Sequence, residues 1–577
     1  MNLLPFGQLP PHTPRQFLPA HLDLGDWSQI EPHFHALELH AHAAVTLADL
    51  ETWLLHWSEL TAALDEESSR RYIAMTCHTD SPEAERAYLQ FVEQIEPQLK
   101  PRQFKLSEIY LAHPLRPQLP QPRYHIFDRD TQLHVELFRP ENIPLETDET
   151  RLGQQYQKLT GSLTVHFRGQ ETTLTQMGRH LEETDRPLRQ EAWQLIAQRR
   201  LQEVETIETT FDQLLHLRAS IATHAGFPDY LTYAFRARGR FDYTPDDCLQ
   251  FHHAIELHVV PALRALHALR RAQLQLPALR PWDLAVDPLG RPPLRPFLHV
   301  DQMIHRTQDI FHHLDGTLAR GFQTLRDLHL LDLDNRKGKA PGGYQATLAE
   351  ARLPFIFMNA VGQQHDIETM LHEAGHAFHA LATRAEPLHH YRHAPIEFCE
   401  VASMTMELLG NEHLHTFYPP DEARRARQNH LQAILTLLPW IATIDAFQHW
   451  LYTHPAHTRA QRTDAWVALI HRFGGDIDWT GHETARAHSW HRQLHIFLHP
   501  FYYIEYAIAQ LGALQIWANS KHDHPQALRH YHQALALGGS RPLPELFAAA
   551  GCRFALDAAT LQPLIHLVQT ELAKLDQ

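Results

Sequence analysis

The chain has 577 residues, of which 44% are hydrophobic and 20% are charged, so it fits an ordinary globular protein with room for more than one core. No segment approaches the roughly 20 apolar residues that span a bilayer, so we expect no membrane partner. The N-terminal MNLLPFGQLPPHTPRQF lacks the basic start and longer apolar core of a secretory signal, so we expect a cytoplasmic protein. The formal net charge of -16 argues against a nucleic-acid partner. A disulfide framework and a thiolate zinc knuckle are not indicated, because the cysteines are isolated: Cys77, Cys248, Cys399 and Cys552.

Histidine is unusually frequent, with 48 residues. Most occur singly or in scattered pairs, such as His252-His253, His312-His313 and His389-His390, and we expect exposed polar positions for them. The alternative is a histidine-rich protein that stores or buffers metal ions without catalysis.

The N-terminal region, residues 1–185, is predicted to be helical with one short hairpin. Ser162 to Phe167 (SLTVHF) and Glu171 to Leu174 read as two strands, and Arg168-Gly169-Gln170 between them contains the glycine of a turn.

The remaining region, residues 186–577, shows helical periodicity over most of its length. The pattern is clear from Pro187 to about Thr223, and it recurs in four later segments: Asp247 to Leu274, Gln302 to Leu325, Gln428 to His449 and Leu561 to Leu575. A second strand pair, Tyr344 to Leu348 and Leu353 to Met358, follows the glycine-containing GKAPGG segment. The fold class is therefore mainly α with a small β-sheet.

A possible metal motif follows this strand pair directly. His372-Glu373-Ala374-Gly375-His376 lies in a segment with helical apolar spacing, so both histidines project from one helix face within reach of a single ion. Glu373 sits beside that face, where it can take a proton from zinc-bound water. The glycine allows another element to approach closely. The abundance of histidine makes chance matches to this spacing more frequent, so the spacing alone does not show that the motif binds a metal ion.

A catalytic zinc needs a third protein ligand. Pro395 to Gly410 reads as an apolar helix whose Glu397, Glu400 and Glu407 share one face. Carboxylates on an apolar face need a partner, and either a metal ion or arginines and water could supply it.

Several blocks in the right order resemble the thimet oligopeptidase and oligoendopeptidase F family of zinc peptidases. They are HEAGHAFH, EFCEVAS, SLTVHFRGQETTL, AGFPDYLTYAFRARGRFDYTPDD, PWDLAVDPLGRPPL, GKAPGGY and HIFLHPFYYIEYAIAQ, and they cover about the last 420 residues. The resemblance implies a helical ellipsoid with a deep substrate channel and a small sheet beside the HExxH helix. It also suggests that LPFIFM pairs with an extended substrate backbone, and the alternative is ordinary burial of a short hairpin.

The resemblance implies that residues 186–577 form the zinc metallopeptidase catalytic region. It also implies one zinc ion per chain, held by His372, His376 and Glu400. Glu397 and Glu407 then become candidates for orienting a ligand histidine, and His379 is expected to be packed or hydrogen-bonded.

The same family uses histidine and tyrosine from the segment between His495 and Gln510, which looks helical. By that resemblance we expect Tyr506, Tyr503 and His495 to hydrogen-bond the developing oxyanion, whereas aromatics at such spacing otherwise belong to a core.

The predicted activity is zinc-dependent hydrolysis of internal bonds in short unstructured peptides, with Glu373 as the base that activates water. A zinc carboxypeptidase or dipeptidyl carboxypeptidase is the enzymatic alternative, since it can use the same ligands.

Overall fold

The computed structural model describes residues 4–336, 338–340 and 342–576, so Pro341 of the GKAPGG segment lies outside the described residues. The chain forms two compact units, each discontinuous in sequence. The first unit comprises Met1–Glu136, Leu294–Arg427 and Ala509–Phe554, and the second comprises Leu137–Pro293, Gln428–Ile508 and Ala555–Gln577. The predicted boundary at residue 185 stays a prediction.

The described residues before the first β-strand are mainly helical. The helices are α1 (Trp27–Ala43), α2 (Leu47–Cys77), α3 (Pro82–Gln90), α4 (Glu96–Ala112), α5 (Gln121–Leu137) and α6 (Asn142–Gly161). The longest, α2, begins at a capping box in which Thr46 and Asp49 satisfy each other's backbone N–H. Buried apolar side chains of α1, α2, α4 and α5 form one core of the first unit.

The predicted hairpin is confirmed in the second unit. Strands β1 (Thr164–Phe167) and β2 (Gln170–Thr173) pair antiparallel, and Arg168 and Gly169 form the turn with φ of 50° and 81°. Two consecutive positive φ values match the turn type that two-residue hairpins favour.

Helical periodicity after the hairpin produces a series of helices rather than one long one. They are α7 (Leu174–Gly178), α8 (Arg186–Leu201), α9 (Val204–His224), α10 (Tyr230–Ala237), α11 (Pro245–His258) and α12 (Val260–Gln273). The pattern from Pro187 to Thr223 is thus divided between α8 and α9. The break is invisible to periodicity because the apolar spacing continues through Gln202 and Glu203.

The first unit continues with two helices and a three-stranded sheet. The elements are α13 (Val300–Leu314), α14 (Gly316–Asp327), β3 (Leu331–Asp334), β4 (Tyr344–Leu348) and β5 (Leu353–Ala360). Both predicted strands of this region are confirmed, and β3 is an addition. β5 lies in the centre, parallel to β3 and antiparallel to β4.

The sheet order corrects one expectation. LPFIFM belongs to β5, whose backbone is already paired on both sides, so it has no open edge for a substrate. Its burial on both faces explains the continuous apolar sequence that marked it.

The C-terminal part of the chain is again helical. Its helices are α15 (Gln364–Ala382), α16 (Ile396–Asn411), α17 (Pro420–Thr453), α18 (Arg459–Phe473), α19 (Glu483–Ala487), α20 (Leu494–Leu498), α21 (Tyr503–His522), α22 (His524–Ala536), α23 (Leu543–Ala549) and α24 (Ala558–Leu575). By length and composition α17 could cross a membrane, but 72% of its most apolar window is buried within the protein, as in a core helix.

The segment from His495 to Gln510 is not one continuous helix. It is divided between α20 and α21, and Phe501 in the connection has a φ of 63°. A positive φ is uncommon for a bulky residue and is typical of a turn. Consequently His495 and the tyrosines lie on different helices.

The histidine pairs are only partly exposed, so the expectation for them is wrong in two cases. His252 is buried and its ring bonds the carboxylate of Asp445 at 2.8 Å. His389 is also buried, with Nε2 at 2.6 Å from a carboxylate oxygen of Asp65.

Candidate metal centre and active site

Helices α15 and α16 of the first unit carry the HEAGH residues and the three glutamates. Strand β5 leads directly into α15, and the Asp366 carboxylate accepts hydrogen bonds from the backbone N–H groups of Val361 and Gln363 at 2.8 Å each. This capping interaction fixes the start of the helix and therefore the direction in which His372 and His376 project.

Gly375 allows the two helices to approach each other closely. A Cβ atom at this position would lie 2.5 Å from Cα of Ser403 and 2.6 Å from the carbonyl oxygen of Ala402. Both neighbours are backbone atoms of α16, so no side chain could move aside. The expectation of a close approach at this glycine is confirmed.

Three potential ligand atoms converge where α15 faces α16. Nε2 of His372 and Nε2 of His376 are 3.2 Å apart, and Oε2 of Glu400 lies 3.3 Å from the first and 3.7 Å from the second. These residues form one of three groups of possible metal ligands within the described residues. Two imidazoles and one carboxylate are the ligand set of many catalytic zinc sites.

Glu407 determines which nitrogen of His372 faces this centre. Nδ1 of His372 donates to Oε1 of Glu407 at 2.6 Å, which leaves Nε2 directed at His376 and Glu400. Burial disfavours a charged imidazole, but the hydrogen bonds with Glu400 and Glu407 raise the pKa of His372 well above its ordinary value. The two carboxylates thus stabilise a positive charge at His372.

Glu400 is held as a carboxylate although it is only 5% exposed. Burial alone would raise its pKa, but the hydrogen bond from His372, the nearby His376 and the hydroxyl of Ser403 lower that pKa to about 2. Ser403 Oγ donates to Oε2 of Glu400 at 3.1 Å. A buried carboxylate facing two imidazoles is a strong attractor for a cation.

The carboxyl of Glu373 is close enough to His372 and Glu400 to be affected by their charges, but it is not one of the three converging ligand groups. Its pKa is raised to about 7, mainly by burial and further by the charges of Glu400 and Glu407, while the charge of His372 and a contact with the backbone N–H of Gln345 on β4 oppose the rise. A carboxyl group in such surroundings is suited to exchange protons near neutral pH.

Glu397 and His379 lie outside the group of converging ligand atoms. Glu397 is buried near the start of α16. His379 is buried as well, with its ring 6.1 Å from that of Phe398 in an edge-on arrangement, and burial lowers its pKa to about 3. His379 therefore has the packed environment that the sequence indicated.

The predicted oxyanion group clusters within the second unit. The ring of His495 lies 4.9 Å from that of Tyr503 and 5.9 Å from that of Tyr506, and the two tyrosine rings are 5.5 Å apart. The break between α20 and α21 brings His495 back against the first turns of α21.

Two residues that the sequence did not single out fix the state of His495. Trp440 Nε1 donates to Oε1 of Gln493 at 3.1 Å, and Nε2 of Gln493 donates to Nδ1 of His495 at 2.9 Å. Indole N–H is only a donor, so it sets the orientation of the amide. The neutral His495 ring then carries its proton on Nε2.

Comparison with known proteins agrees with this architecture. The profile described as Peptidase family M3 matches residues 179–564, and that of the Peptidase M3 N-terminal domain matches residues 17–138. The chain belongs to peptidase family M3.

Relatives in family M3 share modest identity with this chain. Oligopeptidase PepF of Bacillus subtilis (strain 168) is 25% identical over 256 residues, covering 43% of this chain and 36% of that protein. The chromosomal oligoendopeptidase F of Lactococcus lactis subsp. cremoris is 24% identical over 171 residues, covering 30% of this chain and 28% of that protein. The chain thus matches about a third of the length of these curated relatives.

Solved structures extend the likeness over nearly the whole M3 chain. PZ peptidase A, determined with an inhibitor, superposes with a TM-score of 0.89 at 26% identity, covering 97% of this chain and 99% of that one. Oligoendopeptidase F from Enterococcus faecium gives a TM-score of 0.55 at 16% identity, over 95% of this chain and 92% of that one, which shows the fold alone. The mainly α fold with small sheets is thereby confirmed.

Proposed function

We propose that this M3 protein is a zinc-dependent oligoendopeptidase that hydrolyses internal bonds of short unstructured peptides. The observation that carries the proposal is the convergence of His372, His376 and Glu400, with Glu373 buried beside them. The relatives are named oligopeptidase and oligoendopeptidase, which agrees with peptide substrates.

The residues present fit one zinc ion. Their donor atoms lie within 4.8 Å of one another, the buried Glu400 supplies negative charge, and Glu407 directs the lone pair of His372 toward the centre. A zinc ion held there would polarise the scissile carbonyl and make a water molecule more acidic. We assign His372, His376 and Glu400 as the ligands, and Glu407 as the residue that orients His372.

Glu373 has the surroundings expected of the general base. Its carboxyl is close to the ligands without joining them, and burial among other carboxylates raises its affinity for a proton. In the proposed reaction Glu373 takes a proton from the attacking water and delivers it to the leaving amine.

Tyr506, Tyr503 and His495 are assigned the stabilisation of the oxyanion, an assignment that rests on the family resemblance. Their mutual contacts and the Trp440–Gln493–His495 hydrogen bonds support it, because they hold an N–H donor of His495 in a defined orientation. Fixed donors stabilise developing charge without reorganising during the reaction.

Strand β4 is the element best suited to bind an extended peptide backbone. It lies at the edge of the sheet, four of its five residues are partly exposed, and its Gln345 N–H contacts Glu373. Addition of a peptide strand to such an edge requires an extended substrate, which a short flexible peptide supplies more readily than a folded protein. The acidic chain and buried α17 agree with a cytoplasmic enzyme that binds neither nucleic acid nor membrane.

The decisive experiment compares the zinc-loaded protein with its Glu373→Gln variant on a library of short peptides, with fragments identified by mass spectrometry. We expect internal fragments from the parent protein, almost none from the variant, and equal zinc content in both, because the amide cannot accept the proton.

Two results would contradict the proposal. Release of only C-terminal amino acids or dipeptides would identify a carboxypeptidase, and substantial turnover by zinc-loaded Glu373→Gln protein would remove the base from the mechanism. His372→Ala and His376→Ala serve as companion variants, which should lose zinc and activity together.

A further inference from the structure

A second group of imidazoles lies on the surface of the first unit, apart from the HEAGH residues. His313 is in the last turn of α13, while His413 and His415 follow the end of α16. The His313 ring is stacked 5.5 Å from that of His413 and stands edge-on 5.5 Å from that of His415, and the last two rings are 5.9 Å apart. We call these three residues the surface histidine trio.

Each ring of the trio can offer a nitrogen lone pair. Nδ1 of His313 bonds the backbone carbonyl of Asp309 at 2.7 Å, so it carries the proton and leaves Nε2 as an acceptor. Within the described part of the chain, the rings of His413 and His415 form no hydrogen bond with another protein group. One nitrogen from each ring lies within 4.8 Å of the others.

The trio is accessible from solvent. His313 and His415 are exposed and His413 is partly buried. A metal ion could therefore enter without any change in the fold. By contrast, the group formed by Cys248, Asp445 and His449 in the second unit is entirely buried, and Asp445 already accepts a hydrogen bond from His252.

The nearest carboxylate in sequence is already engaged. Glu412 accepts hydrogen bonds from Arg427 at 2.8 Å, from Lys521 at 2.8 Å and from Trp517 at 3.1 Å. The three donor atoms that lie within reach of a single ion are ring nitrogens. Imidazole suits zinc, copper and nickel, whereas calcium and magnesium require oxygen ligands.

We infer that His313, His413 and His415 form a second metal site, which binds a borderline divalent transition-metal ion such as Zn²⁺. Tetrahedral coordination with bonds of about 2.0–2.1 Å needs nitrogen atoms roughly 3.3 Å apart. Side-chain rotations at the surface can close the remaining gap. The bound ion links the end of α13 to the segment that follows α16, the helix that carries Glu400.

The test compares the whole protein with a His313→Gln/His415→Gln variant. Both are stripped of metal and titrated with Zn²⁺ in a calorimeter, and zinc per chain is then measured after equilibration at micromolar free zinc. We expect the variant to bind one fewer ion. The matched control is His305→Gln/His312→Gln, which removes two exposed histidines of the same helix and should bind as many ions as the parent protein.

The readout is a difference between proteins with the same HEAGH residues, so it does not depend on the proposed peptidase activity. Equal zinc stoichiometry and affinity in the trio variant and the parent protein would overturn the inference. Should the double variant unfold before zinc is added, His415→Gln alone supplies the comparison. Zinc-soaked crystals of the parent protein should also show an anomalous peak between the three rings, and its absence would equally overturn the site.

Discussion

Nδ1 of His372 donates a hydrogen bond to Oε1 of Glu407 over 2.6 Å, across the contact between α15 and α16. This hydrogen bond both selects the tautomer and fixes the rotation of the ring. In the proposed zinc site His372 must present its lone pair in one direction. Glu407 on α16 would therefore influence metal affinity, although it is not one of the three converging donors.

We therefore predict that Glu407→Gln weakens zinc binding by about 10- to 100-fold while leaving the fold intact. A competition titration with a chromophoric chelator measures the affinity. Glu397→Gln, on the same helix but outside the group of ligand atoms, is the matched control and should keep parental affinity. Glu400→Gln should lose more affinity than either. The ligand assignment is wrong if Glu397→Gln loses zinc while Glu400→Gln retains it.

The close approach at Gly375 predicts a steric effect on stability and on the site together. Gly375→Ala places a methyl group against the backbone of Ser403 and Ala402, so α16 must move. We expect a loss of about 1–3 kcal/mol in the free energy of unfolding, together with weaker zinc binding.

Gly161→Ala is the control for this effect, since a Cβ there would meet nothing within 4 Å. Denaturant unfolding of the metal-free proteins separates packing from metal binding. If Gly375→Ala were as stable as Gly161→Ala, the helices would not be in the close contact described.

The acid dependence of stability should depend in part on Asp332, which lies on β3 of the three-stranded sheet. Lys339 Nζ lies 2.9 Å from Oδ1 of Asp332, and Arg336 bonds both carboxylate oxygens. Burial would raise the pKa of Asp332, but hydrogen bonds from Arg336, Cys77 and Lys339 lower it to about 2. A carboxyl whose pKa is lower in the folded than in the unfolded protein stabilises the fold at pH values above its unfolded pKa. This contribution is lost as the pH falls through the pKa of the folded protein.

Asp332→Asn should accordingly destabilise the protein at pH 7 by about 2–3 kcal/mol, because the amide cannot supply the stability that the lowered pKa of the carboxyl represents, and Lys339 loses its counter-charge. The difference from the parent protein should shrink as pH falls from about 4 to about 2. Chemical denaturation at several pH values measures it. Asp334→Asn removes an exposed carboxylate of the same strand and should have a small effect; a difference between Asp332→Asn and parent that does not change with pH would contradict the account.

Sequence patterns predicted those parts of the fold that depend on local spacing. In the HEAGH helix and in both hairpin strands, the spacing of apolar residues indicates which face is buried. β5 is apolar throughout because it is buried on both sides. The break at Gln202 and the turn at Phe501 were not predictable in this way, since apolar spacing runs on through both. The order of the strands in the sheet could not be predicted either, because it depends on pairing between segments that are distant in the chain.

The candidate site shows the same division. His372, Glu373 and His376 share one helix, so their spacing identified them. Among the glutamates of α16, periodicity could not choose between Glu397, Glu400 and Glu407, because all three lie on one helix face. Gln493 and Trp440 left no signal, since their importance depends on a chain of hydrogen bonds to His495 that forms only after folding.

The last prediction concerns Tyr506, which we expect to act on the transition state rather than on the bound substrate. Its ring lies 5.9 Å from His495 and 5.5 Å from Tyr503 in a cluster of hydrogen-bond donors. A donor directed at developing charge has little to bind before the reaction begins, so its loss should lower kcat more than it raises KM.

Tyr506→Phe tests this because it removes the hydroxyl and keeps the ring. Loss of one oxyanion donor typically lowers kcat about 100- to 1000-fold, or roughly 2.7 to 4 kcal/mol. If the hydroxyl instead only satisfies a polar group inside the second unit, Tyr506→Phe should lower the Tm and leave kcat within a few fold. Kinetics, Tm and zinc content measured on one preparation distinguish the two roles. Lower stability with unchanged kcat and zinc would assign Tyr506 to packing and leave Tyr503 and His495 as the oxyanion donors, since the hydrogen bond from Gln493 holds His495 in place without Tyr506.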